Sequence, residues 1–271
     1  MSITACLVLS KMMLAGWALF SAAEWLSNLS LLRSDGLLAW ELLRLRPSVI
    51  GPCALRTAFY SGRAITAVLL ARLCAALVLL WPAVDAADLP ASLIVLFSCF
   101  YVARRTRFGG DGADQMGMVV AIGVVLMSAG LTLKDPPLAW CGVFAIAGQA
   151  ALAYPAAGIA KLVSPLWRAG TALPAIMNTQ SYGHQGAAQL ASSRPVFSRS
   201  LCWLIILAES LFPVIFLLPP ALVIASLACF AAFHWANAYF MGLNAFVWSF
   251  LATYPSVFAA SQAVRHLLGW P

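Results

Sequence analysis

The stretch Leu138-Ala-Trp140-Cys-Gly-Val-Phe-Ala-Ile-Ala-Gly-Gln-Ala-Ala-Leu-Ala-Tyr154-Pro-Ala-Ala-Gly158-Ile-Ala-Lys161-Leu-Val163 carries no charged side chain until Lys161. About 20 mostly apolar residues in a helix cross the hydrocarbon of a bilayer, so this segment reads as a transmembrane span with a cation near its end. An ammonium at the hydrocarbon centre costs roughly 2.5 to 3.5 kcal/mol, which makes an intramembrane lysine a functional candidate. The same apolar pattern recurs on both sides of the stretch. Segments 7–31, 60–82, 89–104, 115–133, 138–163, 199–218, 220–242 and 244–264 all qualify, which predicts about eight spans. Seven is the competing count, because 89–104 is short and the first two segments contain Lys11, Glu24 and Arg72.

Composition agrees with this reading. Of 271 residues, 63% are hydrophobic and only 9% charged, which excludes an ordinary soluble domain. The expected fold is all-α, a polytopic transmembrane helix bundle forming a single domain over 1–271 with no separate soluble domain. Lys11 and Glu24 interrupt the first apolar run and no small-residue cleavage pattern follows, so a retained first helix is expected rather than a signal peptide. The net charge of +7 resides largely in the links 33–63, 104–114 and 164–199, which places those links on the cytoplasmic side and the amino terminus outside. That distribution accounts for the basic excess without nucleic acid. Residues 37–47 read as a short amphipathic surface helix ended before Pro47, and Trp81, Trp140, Trp167, Trp203 and Trp270 lie near predicted span ends. Seven cysteines form no CxxC pair and no cluster with histidine, so no metal site is expected.

Few polar residues remain to carry chemistry. Tyr154, Gly158, Lys161 and Pro165 follow an i, i+4, i+7, i+11 spacing that puts them on one helical face. Gly158 permits close approach there, and Pro155 frees the carbonyl one turn earlier. Lys161 either snorkels to headgroups or, desolvated, serves as a base. Glu209 and His234 lie within apolar segments, where a carboxylate is protonated or paired, with Lys161, Arg72 and His234 as available partners. Asn237 follows His234 by one turn, and helix-to-helix hydrogen bonding is the alternative role for all of these residues. In the link Arg104-Arg-Thr-Arg107-Phe-Gly-Gly-Asp111-Gly-Ala-Asp114-Gln115-Met116, Asp114 is near the N-cap position and either caps the next helix or lines a polar site mouth. Residues 164–198 form the longest polar stretch, either a functional loop or a solvated connector.

The run Tyr154-Pro-Ala-Ala-Gly158-Ile-Ala-Lys161-Leu-Val-Ser-Pro-Leu-Trp167-Arg-Ala-Gly170 resembles an aromatic, Ala-Gly-x-x-Lys-Leu, Trp, x-x-Gly pattern. That pattern belongs to the membrane domain of the vitamin K-dependent gamma-carboxylase superfamily, in particular its small bacterial members, the HTTM (horizontally transferred transmembrane) proteins. A second similarity is His234-Trp-Ala-Asn-Ala-Tyr-Phe-Met-Gly242-Leu-Asn244-Ala-Phe246-Val-Trp248, which looks like the family's late helix pair. Together with the span layout, the resemblance covers most of the chain.

The resemblance implies that Lys161 is the base that deprotonates a reduced quinone, menaquinol or a vitamin K hydroquinone-like molecule. In the carboxylases, oxygen then generates a strongly basic alkoxide that removes a proton from a glutamate side chain before carbon dioxide adds. The expected site for such a molecule, or another hydrophobic acidic cofactor, is a pocket bounded by the fourth, fifth and seventh spans. There His234 and Asp114 position or relay protons, and Tyr154, Gly158, Trp167, Asn237, Gln115 and Glu209 form the cofactor-binding wall. A small peptide or hydrophobic molecule would be the substrate, membrane lipids the surroundings, and the bacterial inner membrane the location.

The chain departs from the family in two places. Where the carboxylases carry a histidine ahead of a helix, this sequence reads Gly112-Ala-Asp114-Gln115-Met116, and the expected soluble substrate-holding domain is missing. The competing expectation is a non-enzymatic membrane partner or immunity subunit for an exported peptide. A transporter is disfavoured, since no inverted repeat with paired broken helices is visible.

Overall fold

The computed structural model describes residues 1–32, 36–43, 59–106 and 111–270. Among these the chain is helical, with no strand. Six helices are long and apolar enough to cross a membrane: α1 (Ile3–Ser27), α3 (Gly62–Leu79), α4 (Asp88–Thr106), α5 (Gly112–Thr132), α6 (Pro136–Val163) and α11 (Pro220–Met241). Of the surface helix expected over 37–47, residues 37 and 38 are turn and α2 (Trp40–Leu43) is helical, while 44–47, together with Cys53 and residues 107–110, lie outside the described residues.

Two expected spans differ from the sequence reading because each contains a proline. Segment 199–218 is divided into α10 (Pro195–Ser210) and a 3-10 turn (Phe212–Leu217) that begins beside Pro213. Segment 244–264 is divided into α12 (Asn244–Leu251) and α13 (Tyr254–Leu267), with Pro255 in the first turn of the latter. A proline lacks the N–H for the carbonyl one turn back and its ring crowds that carbonyl, so a helix ends there unless neighbouring structure holds it. Pro155 is the counter-example, lying inside α6 without ending it. The polar stretch 164–198 is mostly helical, folding into α7 (Pro165–Ala169), α8 (Ala172–Met177) and α9 (Gln185–Ser193).

The chain divides into two compact units, residues 2–142 and 143–271, with the boundary inside α6. In the amino-terminal unit α1 packs on α3, α3 on α4, α4 on α5, and α5 back on α1, which closes a four-helix arrangement. Its N-terminal caps are local and polar. Ser2 and Ser61 accept from the amides three residues on, at 3.2 Å each. Asp111, rather than the expected Asp114, caps α5 by accepting from Ala113 N at 2.9 Å and Asp114 N at 3.1 Å.

This unit buries charged and polar groups within an otherwise apolar core and exposes apolar side chains. Lys11 and Arg72 are buried, as are Asp88, Ser21 and Ser98, while Leu70, Leu77, Leu93 and Phe97 are exposed. Water would reverse that distribution, whereas lipid accommodates it. Lys11 Nζ donates to Asp88 Oδ1 at 2.5 Å and to the Ala83 carbonyl at 2.6 Å. Nearer the other end, Arg105 donates to the carbonyls of Tyr60 and Leu38, both at 2.8 Å, which ties the connecting segments to α4.

The carboxy-terminal unit is built around α10, α11 and the carboxy-terminal part of α6. The short helices α7, α8 and α9 pack on α10, while α11 packs on α12 and α13. Gly170 and Gly242 end α7 and α11 in the left-handed conformation, at φ 82° and 71°, which only glycine adopts without penalty.

Candidate functional site

Gly158 sets the geometry of the carboxy-terminal site. A Cβ added to it would lie 2.5 Å from Ser210 N, 2.6 Å from Ser210 Oγ and 2.9 Å from the Glu209 carbonyl carbon, so α6 and α10 approach backbone to backbone there. That approach places Glu209 opposite Lys161, one turn farther along α6. Lys161 Nζ donates to Glu209 Oε2 at 2.6 Å and, more weakly, to the Ala157 carbonyl at 3.5 Å. Of the three partners open to Glu209 in the sequence, the structure selects Lys161.

Gly158→Val is therefore expected to cost about 1 to 3 kcal/mol or more, because backbone atoms cannot yield as a flexible side chain would. Thermal unfolding of the purified protein checks this. An unchanged midpoint would contradict the close approach.

The chain then turns back over the pair. Ser164 is extended, at φ −77° and ψ 122°, as the residue before a proline prefers, so α6 stops at Val163. Pro165 accordingly leaves the face shared by Tyr154, Gly158 and Lys161 and instead starts α7. The turn brings the Trp167 ring to 5.3 Å from Lys161 Nζ, within cation–π range. Ser198 Oγ to the Gly170 carbonyl, at 2.6 Å, and Trp203 Nε1 to the Arg168 carbonyl, at 3.3 Å, fasten this segment to α10. His184, at the far end of the stretch, caps α9 by accepting from Ala187 N at 3.1 Å.

Two turns before Lys161, the Tyr154 hydroxyl lies 2.8 Å from His234 Nε2 and 3.1 Å from the Tyr254 hydroxyl. Aromatic rings hold this trio. Tyr154 stacks on Phe212 at 4.2 Å between centroids and His234 on Phe250 at 4.4 Å. His234 is only 3% exposed, and its Nδ1 is buried with no hydrogen-bond partner among the described residues. A buried polar atom left unpartnered is costly, so such an atom at a cavity wall points to something that satisfies it.

Tyr154, Lys161, Trp167, Glu209, His234 and Asn237 all line one cavity of about 280 Å³ in this unit. Gly158 is the spacer behind that wall. A second, more apolar cavity of about 460 Å³ shares Glu209, Phe233 and Asn237 with the first. Protein-family models, curated proteins and solved structures gave no match to this chain. The site is read from its own geometry.

Asp114 and Gln115 are placed elsewhere. They line a cavity of the amino-terminal unit together with Arg72 and Trp17, because α5 belongs to the four-helix arrangement with its own polar interior. Sequence reasoning missed Tyr254, Phe212, Phe230 and Phe250. A signal for the first was present: the dipeptide Tyr-Pro occurs twice, at 154–155 and 254–255, and the two tyrosine hydroxyls meet.

The site combines an aromatic wall with an acid–base pair that can move a proton. Lys161 and Glu209, at 2.6 Å, can exist as an ion pair or, after one proton crosses, as a neutral amine and acid. Their side chains are 20% and 6% exposed, so the site is shielded but not sealed.

Proposed function

We propose that this chain is an integral membrane protein of the bacterial inner membrane that binds a reduced quinone, menaquinol or a vitamin K hydroquinone-like molecule, and modifies a small peptide or hydrophobic substrate. The observation that carries this reading is the Lys161–Glu209 pair on the wall of an aromatic cavity. The residues fit such a molecule. The walls are apolar and ringed, and polar groups are few and convergent. A reduced quinone bound there supplies an acidic hydroxyl and reducing electrons.

The protein's own part is proton handling and orientation. Glu209 Oε2 would take the proton from Lys161 Nζ, leaving a neutral amine able to accept a proton from an acidic hydroxyl held beside it, so that both protons would rest on the pair. Trp167 covers Lys161, while Tyr154, His234 and Asn237 orient the ring. Exclusion of water by the aromatic wall strengthens each of these contacts. Asp114 and Gln115, in the other cavity, take no step in this scheme. The resemblance of the Tyr154 to Gly170 run to the carboxylase pattern supports the same assignment of Lys161.

A second reading, a non-enzymatic partner or immunity subunit for an exported peptide, is favoured by one observation. Lys161 already has a close partner and clamps α6 to α10. The two readings separate on binding. Purified protein is expected to bind a short-chain menaquinol saturably, with tryptophan quenching that Trp167→Phe reduces. Wild-type protein without saturable quenching leaves the partner-subunit reading alone.

A further inference from the structure

Arg72 is the least explained buried charge among the described residues. It lies in the middle of α3, is 1% exposed, and has no carboxylate within ion-pair distance among the described residues. Its Nε donates to Ser98 Oγ at 2.7 Å and its Nη1 to Ser21 Oγ at 2.8 Å, both neutral acceptors. A guanidinium has five N–H donors in a fixed fork, so the two serines occupy only part of it. Trp17 lies 5.4 Å from the guanidinium, is 1% exposed, and has a buried indole N–H with no partner among the described residues. Arg72 and Trp17 both line a cavity of about 190 Å³ in the amino-terminal unit. An intramembrane guanidinium in no direct ion pair, with Asp114 in electrostatic range along the same cavity, has donors to spare for an anionic group.

The rest of the cavity narrows the ligand. Its lining continues along α1 from Trp17 to Trp25, roughly 12 Å at 1.5 Å per residue, and ends at Thr106, Asp111, Asp114 and Gln115. Thr106 is the last residue of α4 and Asp111 the cap of α5, so the carboxylates mark one end of the helix bundle and Arg72 the interior. Glu24, exposed on α1, is close enough to interact electrostatically with both aspartates. A simple anion entering this way would pass carboxylates that repel it, and a simple cation would meet Arg72 at the bottom. A zwitterion matches both ends.

We infer that the amino-terminal cavity binds a small zwitterion of the amino-acid class, its carboxylate on Arg72 and its ammonium toward Asp114 and Asp111. The volume suits one amino acid and not a peptide. This site is independent of the quinone reading, since none of its residues line the cavity of Lys161 and His234.

The test uses the full chain in detergent or nanodiscs, with thermal stabilisation and equilibrium dialysis as readouts. The panel is the free α-amino acids, ω-amino acids of increasing length, the matching amines and carboxylic acids, and inorganic phosphate. At least one amino acid is expected to bind saturably, with the matching amine, acid and phosphate each about tenfold weaker or more. Arg72→Lys and Asp114→Asn are each expected to weaken binding by about tenfold, since one loses the guanidinium fork and the other the outer charge. Ala103→Leu, at an exposed position of the lining, is expected to block binding while the fold persists, and keeps the test decisive should Arg72 variants fail to fold. Failure of every amino acid to bind wild-type protein overturns the inference. So does phosphate or a plain carboxylate that binds as tightly, or binding that survives both Asp114→Asn and Ala103→Leu.

Discussion

Replacing Lys11 with methionine is expected to destabilise the amino-terminal unit by about 3 to 5 kcal/mol, because it leaves a buried carboxylate without its counter-charge. Lys11 and Asp88 side chains are 0% and 2% exposed and meet at 2.5 Å. Asp88 retains only a weak contact from Asp85 N, at 3.3 Å, and its place in the first turn of α4. Asp88→Leu is expected to be costly as well, since the stranded ammonium keeps only the Ala83 carbonyl, at 2.6 Å, as a neutral acceptor. The double variant Lys11→Met with Asp88→Leu should recover most of the loss, because two apolar side chains of similar volume need no solvation. Unfolding in mixed micelles, read as a double-mutant cycle, measures the coupling. Single variants within about 1 kcal/mol of wild type would show that water reaches the pair.

The second large effect concerns rate. Lys161→Ala is expected to slow a quinol-dependent reaction by about 10² to 10⁴, the usual contribution of a positioned general base. Alanine also strands Glu209, so the informative variants are Lys161→Arg and Glu209→Gln. Arginine can still pair with Glu209 but does not deprotonate, so stability should persist while turnover falls to the level of Lys161→Ala. Glutamine at 209 can still accept from Lys161 but cannot take its proton, so it should resemble the arginine variant in rate. A Lys161→Arg protein with full turnover in a reconstituted assay would falsify the assignment of Lys161 as base. Equal stability losses in all three variants, with menaquinol binding untouched, would favour the structural clamp.

The long helices were legible because a mostly apolar run of span length has few other fates, even with one or two charges in it, and among the described residues six such runs became single helices. The breaks near 211 and 252 were visible as Pro213 and Pro255, but a proline inside an apolar run does not announce whether its helix survives. Pro155 survives in α6 and the other two do not. Glu209 advertised its need for a partner by being acidic in an apolar segment, and the choice of Lys161 depended on Gly158 letting α6 and α10 touch. Asp114 misled because its position along the chain says nothing about which cavity α5 lines. Arg72 stood out as a charge, whereas Ser21 and Ser98, its actual partners, are indistinguishable in sequence from packing serines.

The hydroxyls of Tyr254 and Tyr154 and the imidazole of His234 form a row with two possible directions of donation. If Tyr254 donates to Tyr154 and Tyr154 to Nε2, the imidazole proton sits on Nδ1 and that atom is a donor; if the row runs the other way, Nδ1 is an acceptor. Whatever satisfies the orphan Nδ1 therefore fixes the sense of the whole row. A carbonyl beside Nδ1 would fix the first sense, whereas a hydroxyl could serve either. The Tyr254 proton would then register, two hydrogen bonds away, which kind of partner that atom has.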